Sequence, residues 1–418
     1  MKILLSAYGC DPSRGSEYGN GWNWAVNLAD QGHEVWCFTT PRGRQSIEAA
    51  MEKDPRDNLH FEFVEVPNWV ERTYVNAFGV MFHYLVWQRY AYKRAKIVDQ
   101  AHGFDVVHHA TYGSLKFASE MWKLGKPFIF GPVGGGQFAP KAFRKYFFKW
   151  WKNEQIRSWG NRLFINFNPN LKKTLRKASI AFATNRETYE VLLRKGASNP
   201  QLFLDCSLPE DFFPPALPVR NQEGPLRILW VGRLLAIKGL PLVFDALSRV
   251  DPSIDYRLTV VGDGPLAHQM DPWMDRYGVK DRVDWVGRIP WAEVTQQYHD
   301  HDLFMFTTLR DSSPAQLMEA MAYGLPILTL DLHGSGFMVP DDAGIKVPAH
   351  TPEATVKALT EAVEYLYHHP EERNRLGKNG FDFARSQTWE KKVEKMSALY
   401  RSLVPEQQTA QVGKSPKT

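Results

Sequence analysis

Arg227-Ile228-Leu229-Trp230-Val231-Gly232 is an apolar run that stops at a glycine, and Arg233, Leu234 and then Lys238-Gly239 follow it before a helical pattern over 240–250. The next apolar run, 256–261, ends in Gly262-Asp263-Gly264-Pro265, and further strand patterns follow at 283–286, 303–306 and 326–330. Strands alternating with helical stretches and turning at glycines predict a doubly wound parallel sheet. Upstream of Arg227 lies a low-periodicity stretch with Pro209, Pro214, Pro215, Pro218 and Pro225 that reads as a linker. The same pattern opens the chain. Lys2-Ile3-Leu4-Leu5-Ser6 precedes the loop 15–21, a helix pattern with Trp22, Trp24, Ala25 and Leu28, and a second strand at 35–38. Strand patterns recur at 61–66, 106–109, 128–130, 180–183 and 201–204. The expectation is an α/β protein of two tandem doubly wound domains facing across a cleft. Their bounds are read as 1–207 and 226–385, with a linker over 208–225. An amphipathic helix within 386–404, with Val393, Met396, Leu399, Tyr400 and Leu403 on one stripe, is expected to cross back to the first domain. The polar tail 405–418 is expected to be disordered.

Bulk properties agree with two globular units. The chain has 418 residues, 44% hydrophobic and 23% charged, with a formal net charge of +5. So small an excess does not by itself argue for nucleic acid. Cys10, Cys37 and Cys206 form neither a disulfide framework nor a metal pair, which fits a reducing cytoplasm. The opening apolar run is too short for a signal peptide, and no run of about 18 apolar residues marks a membrane span.

The second half carries the chemistry. Gly232, Arg233 and Lys238 sit between a strand and a helix, where backbone N–H groups and a helix dipole favour anions. Arg233 can fork onto two phosphate oxygens and Lys238 supplies a point charge. Solvated loop cations are the plainer alternative. Gly262 and Gly264 mark the next strand end, and Asp284-Trp285-Val286-Gly287-Arg288-Ile289 the one after. Then come Asp311, Ser312, Ser313 and Pro314, with Glu319 eight residues after Asp311. In this order the motifs resemble the retaining glycosyltransferases of family 4, the group 1 glycosyltransferases of GT-B fold with Rossmann-like domains. The resemblance is dense over 226–348. It implies a diphosphate clamp at Arg233 and Lys238, a nucleobase-flanking segment at Arg288 and Ile289, and a ribose-binding acid at Glu319. It implies a donor-sugar contact at Asp311, where the family usually has the longer Glu; a helix N-cap is the other role open to Asp311.

On the first half, Gly15, Ser16, Glu17 and Tyr18 lie at the carboxyl end of the first strand and are candidate acceptor-side contacts. Many relatives carry a histidine after the strand at 128–130. Here Val133 stands there, so that role is expected to pass to backbone groups of Gly134, Gly135 and Gly136 or to His109; packing is the alternative for the histidine. Residues 138–177 hold eleven Lys or Arg, one acid and ten aromatics. Such a mixture suits an anionic membrane surface or a lipid-linked acceptor, while a solvated helix face would look the same. A second aromatic stretch, from Trp69 to Tyr92, is a candidate wall of an acceptor groove.

The implied function is a retaining, metal-independent glycosyltransferase of hexosyltransferase type. It would move a sugar from a nucleotide-diphosphate donor to a glycan or lipid-linked acceptor in cell-surface polysaccharide or glycolipid assembly. The resemblance implies Asp311, Arg233 and Lys238 as catalytic groups, His109 joins them as the stand-in for the absent histidine, and no cofactor, metal or nucleic acid is expected. The expected place is the cytoplasm, peripheral on the inner face of the membrane. A sugar-nucleotide epimerase and a non-catalytic binder stay open. An NAD(P) oxidoreductase would need Gly-x-Gly-x-x-Gly after a strand, and neither half has that spacing.

Overall fold

A computed structural model describes residues 1–220 and 224–404. The first sheet contains β1 (Lys2–Ser6), β2 (Glu34–Thr39), β3 (Leu59–Phe63), β4 (Val106–His109), β5 (Phe128–Val133), β6 (Ile180–Ala183) and β7 (Pro200–Leu202). Its strands are all parallel, in the order β3-β2-β1-β4-β5-β6-β7. The second contains β8 (Leu226–Val231), β9 (Tyr256–Val261), β10 (Val283–Gly287), β11 (Leu303–Phe306), β12 (Ile327–Asp331) and β13 (Gly344–Pro348). They too are parallel, in the order β10-β9-β8-β11-β12-β13. The architecture is therefore two tandem doubly wound α/β domains. Helices cover both faces of each sheet, which is why Ile3, Leu4 and Leu5, or Ile228, Leu229 and Trp230, can be consecutively apolar and fully buried. In each sheet the strand order reverses beside the first strand, between β1 and β4 and between β8 and β11. The crevice outside the carboxyl ends at these switch points is where such sheets take ligands.

Several element limits shift. The strand expected at 61–66 begins earlier, at Leu59, because its edge pairing with β2 starts there. The strand expected at 201–204 is Pro200–Leu202. β13 was not expected, since Gly344-Ile345-Lys346-Val347-Pro348 has only two large apolar residues to signal it. A larger departure concerns 141–150. This run of 3-10 turns comes from the first half of the chain, yet Phe143, Tyr146 and Phe147 are buried in the apolar core of the second domain. Tyr146 Oη donates to Asp245 Oδ2 at 2.7 Å, Lys145 pairs with the same carboxylate at 3.1 Å, and Phe148 stacks on Trp273. The front of the basic, aromatic segment is thus an interdomain brace. It is not an open membrane-facing surface.

The two chain crossings between the domains run side by side, joined where Trp389 N donates to Leu208 O at 3.2 Å. The helix Trp389–Leu403 then lies against the helix Ser16–Asp30 of the first domain. Trp389 meets Trp24 edge-on with ring centroids 5.5 Å apart, and Ser397 bonds His33 at 2.8 Å. The tail beyond Val404 lies outside the described residues, as do 221–223 of the linker.

Tyr400 closes this contact on a buried histidine of β4. His108 Nε2 faces Gly131 O at 2.7 Å and so carries the proton, which leaves Nδ1 bare to accept from Tyr400 Oη at 2.6 Å. Burial holds His108 down at about 4, so it stays neutral at physiological pH. Tyr400→Phe strands the Nδ1 lone pair in a dry site. The expected cost is about 1–3 kcal/mol, read from chemical denaturation of the full chain.

Candidate active site

The end of β8 meets the end of β9 so closely that side chains are excluded. A Cβ on Gly262 would stand 1.9 Å from Gly232 O, and its φ of +135° is one that L residues rarely adopt. A Cβ on Gly264 would collide with the Leu234 backbone and press on Arg233 Cγ. Glycine here lets the two strand-end turns nest, and Arg233 leaves that nest into solvent. Among the described residues it has no ion-pair partner. Lys238 ends a short 3-10 turn, with Gly239 in the left-handed region directly after it. Its ammonium donates to Asp311 Oδ2 at 2.5 Å, with both side chains largely buried.

Asp311 is therefore an ion-pair partner of Lys238 and not a helix cap. The N-cap of the helix Ala315–Ala322 is Pro314, which offers no side-chain bond. Glu319 lies on that helix with its side chain half-buried. Tyr298 Oη donates to its Oε2 at 2.8 Å, and burial raises its pKa in spite of that bond. Its other oxygen has no comparable donor among the described residues. Arg288 is exposed beyond β10, while Ile289 packs partly against the core. Trp285 Nε1 donates to Gly262 O at 2.9 Å, tying this segment to the glycine nest.

The first domain contributes from the end of β1. Gly15 precedes the helix that Ser16 opens; the side chain of Ser16 lies outside the described residues. Tyr18 Oη bonds Tyr74 Oη at 2.9 Å under the guanidinium of Arg14. Glu17 Oε1 accepts from Gly113 N at 3.1 Å, beyond β4. Burial, with the negative charge of Asp205 second, pushes Glu17 up to about 7. Asp205 sits at the chain crossing, where Lys392 donates to its carbonyl at 2.6 Å and is itself lowered by burial to about 8.

Two expectations fail here. His109 is 1% exposed, faces Phe130, and receives the Tyr84 hydroxyl at Nε2 at 3.2 Å. Burial and neighbouring His108 hold it at about 3, so it neither reaches the cleft nor carries a transferable proton. The Gly134–Gly136 loop does not offer its N–H groups either. They go to Gly113 O at 2.8 Å, Gln137 Oε1 at 2.9 Å and Thr188 Oγ1 at 3.1 Å. What the loop provides is proximity: a Cβ on Gly134 would stand 2.8 Å from Ser312 Cβ, across the domain boundary.

His333 marks the same boundary, and its sequence context signals only a glycine-rich turn. It adopts φ +52°, and its ring lies between Glu187 Oε1 at 2.8 Å and Phe138 O at 2.9 Å, both from the first domain. Asn185 Nδ2 reaches Ser312 O at 3.4 Å. The domains thus meet on the loop that holds Asp311 and Ser312. Spacing in the sequence held no signal for this, because all the partners are more than 120 residues away.

Across the switch points, then, one free and one paired cation and two carboxylates of the second domain face a carboxylate and tyrosines of the first. Residues 218–383 match the family model described as Glycosyl transferases group 1. The fold is GT-B. Solved structures of that fold align over nearly all of the chain. Sucrose-phosphate synthase from Thermosynechococcus elongatus gives a TM-score of 0.65 at 20% identity, covering 96% of this chain and 98% of that one. Anabaena HepE in complex with UDP-glucose gives 0.58 at 15% identity, covering 96% and 100%. Among curated proteins, the D-inositol 3-phosphate glycosyltransferase of Corynebacterium glutamicum is 26% identical over 186 residues, 42% of this chain and 43% of that protein. The chain spans less than half the length of the first curated relatives it matches.

The raised Glu17 gives a pH test. From an ordinary value near 4.5 to about 7 the folded protein holds a proton that the unfolded chain releases, so stability falls as pH rises across that window. Glu17→Gln removes the burden of the charged form. Relative to the parent it should gain stability between pH 4.5 and pH 8, by up to about 3 kcal/mol, in denaturant titrations at both pH values.

Proposed function

We propose that this protein is a retaining glycosyltransferase that moves a hexosyl group from a nucleotide-diphosphate sugar to a glycan or lipid-linked acceptor, in the assembly of a cell-surface polysaccharide or glycolipid. The observation that carries the reading is the pairing at the carboxyl end of the second sheet: Arg233 free and Lys238 held by Asp311, one helix away from the half-buried Glu319. Breaking the bond between the anomeric carbon and the diphosphate leaves charge on the departing oxygens. Two cations on glycine-shaped loops can meet that charge, Lys238 by exchanging Asp311 for phosphate. Glu319 has an oxygen to offer a ribose diol, and Asp311 is free to turn to the donor sugar when phosphate takes Lys238. The acceptor enters from the first domain beside Glu17 and Tyr18, and attack on the face the diphosphate leaves keeps the configuration.

In this reading the protein needs no metal, because Arg233 and Lys238 supply the positive charge. It works in the cytoplasm at the inner face of a membrane. The exposed Trp159 with Lys152, Lys172 and Lys173 are the parts of 138–177 left to touch that surface. No helix among the described residues is long and apolar enough to cross a membrane. The family match over the second domain supports transfer over epimerisation or mere binding. Trapping labelled product from a nucleotide-sugar panel plus membrane extract separates the three, since an epimerase alters the donor without an acceptor and a binder alters nothing.

Arg233→Ala or Lys238→Ala should slow transfer on the order of 10²-fold or more. Arg233→Ala should leave thermal unfolding nearly unchanged, whereas Lys238→Ala should also lower the unfolding temperature, because Asp311 loses its partner. Turnover close to the parent rate in both would sink this assignment. Transfer should also persist in excess chelator; a loss that added divalent metal restores would show that the cations are not sufficient.

A further inference from the structure

One cavity lies outside the cleft. It is a groove of about 670 Å³ between the long helix Ala77–His102 and the helix Trp151–Phe167 of the first domain, within the range that takes one small ligand. Leu85, Phe117, Leu163 and Phe164 make its walls, with Ala118 among them and Phe167 at the rim. Leu85, Phe164 and Phe167 are 44%, 49% and 78% exposed, a cost in water that nothing among the described residues offsets. The groove is concave and flanked by helices on both sides, so it suits a single chain and not the flat surface of a bilayer.

One end of the groove is strongly cationic. Lys116 lines it, half-buried and without an ion-pair partner among the described residues. Arg157 and Arg310 stand close enough that their charges, after burial itself, lower its pKa. Among the described residues one carboxylate forms ion pairs with this trio: Glu154 takes Arg157 at 2.6 Å and Arg310 at 3.0 Å. Three cations around one acid leave a positive excess facing an apolar wall. Arg310 immediately precedes Asp311, so this end of the groove abuts the loop of the donor site. A second, smaller pocket is lined by Arg157, Arg310, Leu235 and Ile237, the last two on the clamp loop.

We infer that the groove holds the hydrocarbon chain of a phosphate-bearing amphiphilic acceptor, with its phosphate at Lys116 and Arg310 and its sugar end directed to the donor loop. The inference rests on the transferase reading for its role but not for its test. Charge complementarity sets the phosphate, and the apolar walls set the single chain. The sugar end then reaches Asp311 without leaving the protein.

The probe is farnesyl phosphate, titrated into the full-length protein by calorimetry below the concentration at which it aggregates. Farnesol, inorganic phosphate and phosphatidylglycerol vesicles serve as comparisons, and a nucleoside diphosphate panel is run on the same samples. Saturable one-to-one binding is expected, at least about tenfold tighter than farnesol, with none for inorganic phosphate. Lys116→Gln should weaken it about tenfold. Ala118→Trp, on an irregular segment where it fills the groove, should abolish it while nucleoside diphosphate binding is retained. Equal binding by parent and both variants overturns the inference, and so does binding to vesicles with none to monomeric farnesyl phosphate. Binding that Ala118→Trp removes supports the groove even if no nucleotide binds; in that case it is the transferase reading that falls.

Discussion

The two domains meet where a glycine backbone lies directly against a small side chain and nothing larger fits between them. Gly134, at the carboxyl end of the first sheet, lies so near Ser312 of the second domain that any Cβ would force the halves apart. A Cβ on Gly334 would likewise stand 2.3 Å from Ser312 O. The loop carrying Asp311 and Ser312 is pinned from both sides by glycines, one from each domain. Asn185 and His333 add polar contacts at the same seam. The geometry of the candidate site depends on this approach, because it sets how far an acceptor held near Glu17 stands from a donor held near Asp311.

Charge is the second organising term. Lys238 and Asp311 neutralise each other in a partly buried setting, where an unpaired charge would be costly. A ligand carrying its own negative charge can take over Lys238 and release Asp311, so one pair suits both the empty and the loaded site. Arg233 stays in water, where an unpaired guanidinium costs little and remains available. The first domain runs the opposite way. Its Glu17 is kept near neutrality by burial and by Asp205, which suits contact with uncharged hydroxyls more than with phosphate.

The brace at 141–150 and the returning helix 389–403 explain how the seam is held from outside. One carries first-half residues into the second core; the other carries the last helix back to Trp24, His33 and His108. Each domain is thus closed by a segment that the other domain's stretch of sequence supplies, so the halves are not independent blocks.

Local pattern was enough for much of this. The strand cores at 2–6, 106–109, 180–183, 256–261 and 303–306 are legible because buried parallel strands must be continuously apolar and must end at turns. The clamp loop is legible because glycine, arginine and lysine at a strand end have few other uses together. What tertiary structure alone decided is where each side chain finds its partner. Phe143, Tyr146 and Phe147 look like a membrane-seeking stripe until the second core receives them. His109 looks like a strand-end catalyst until Tyr84 and Phe130 cover it. The Gly134–Gly136 amides look available until Gly113, Gln137 and Thr188 take them, and Asp311, open in the sequence to a donor-sugar contact or a cap, is not the cap, because Lys238 holds it. A sequence states which groups want burial, charge or a hydrogen bond. Which distant group satisfies each is set by packing two sheets against one seam, and no local spacing encodes that.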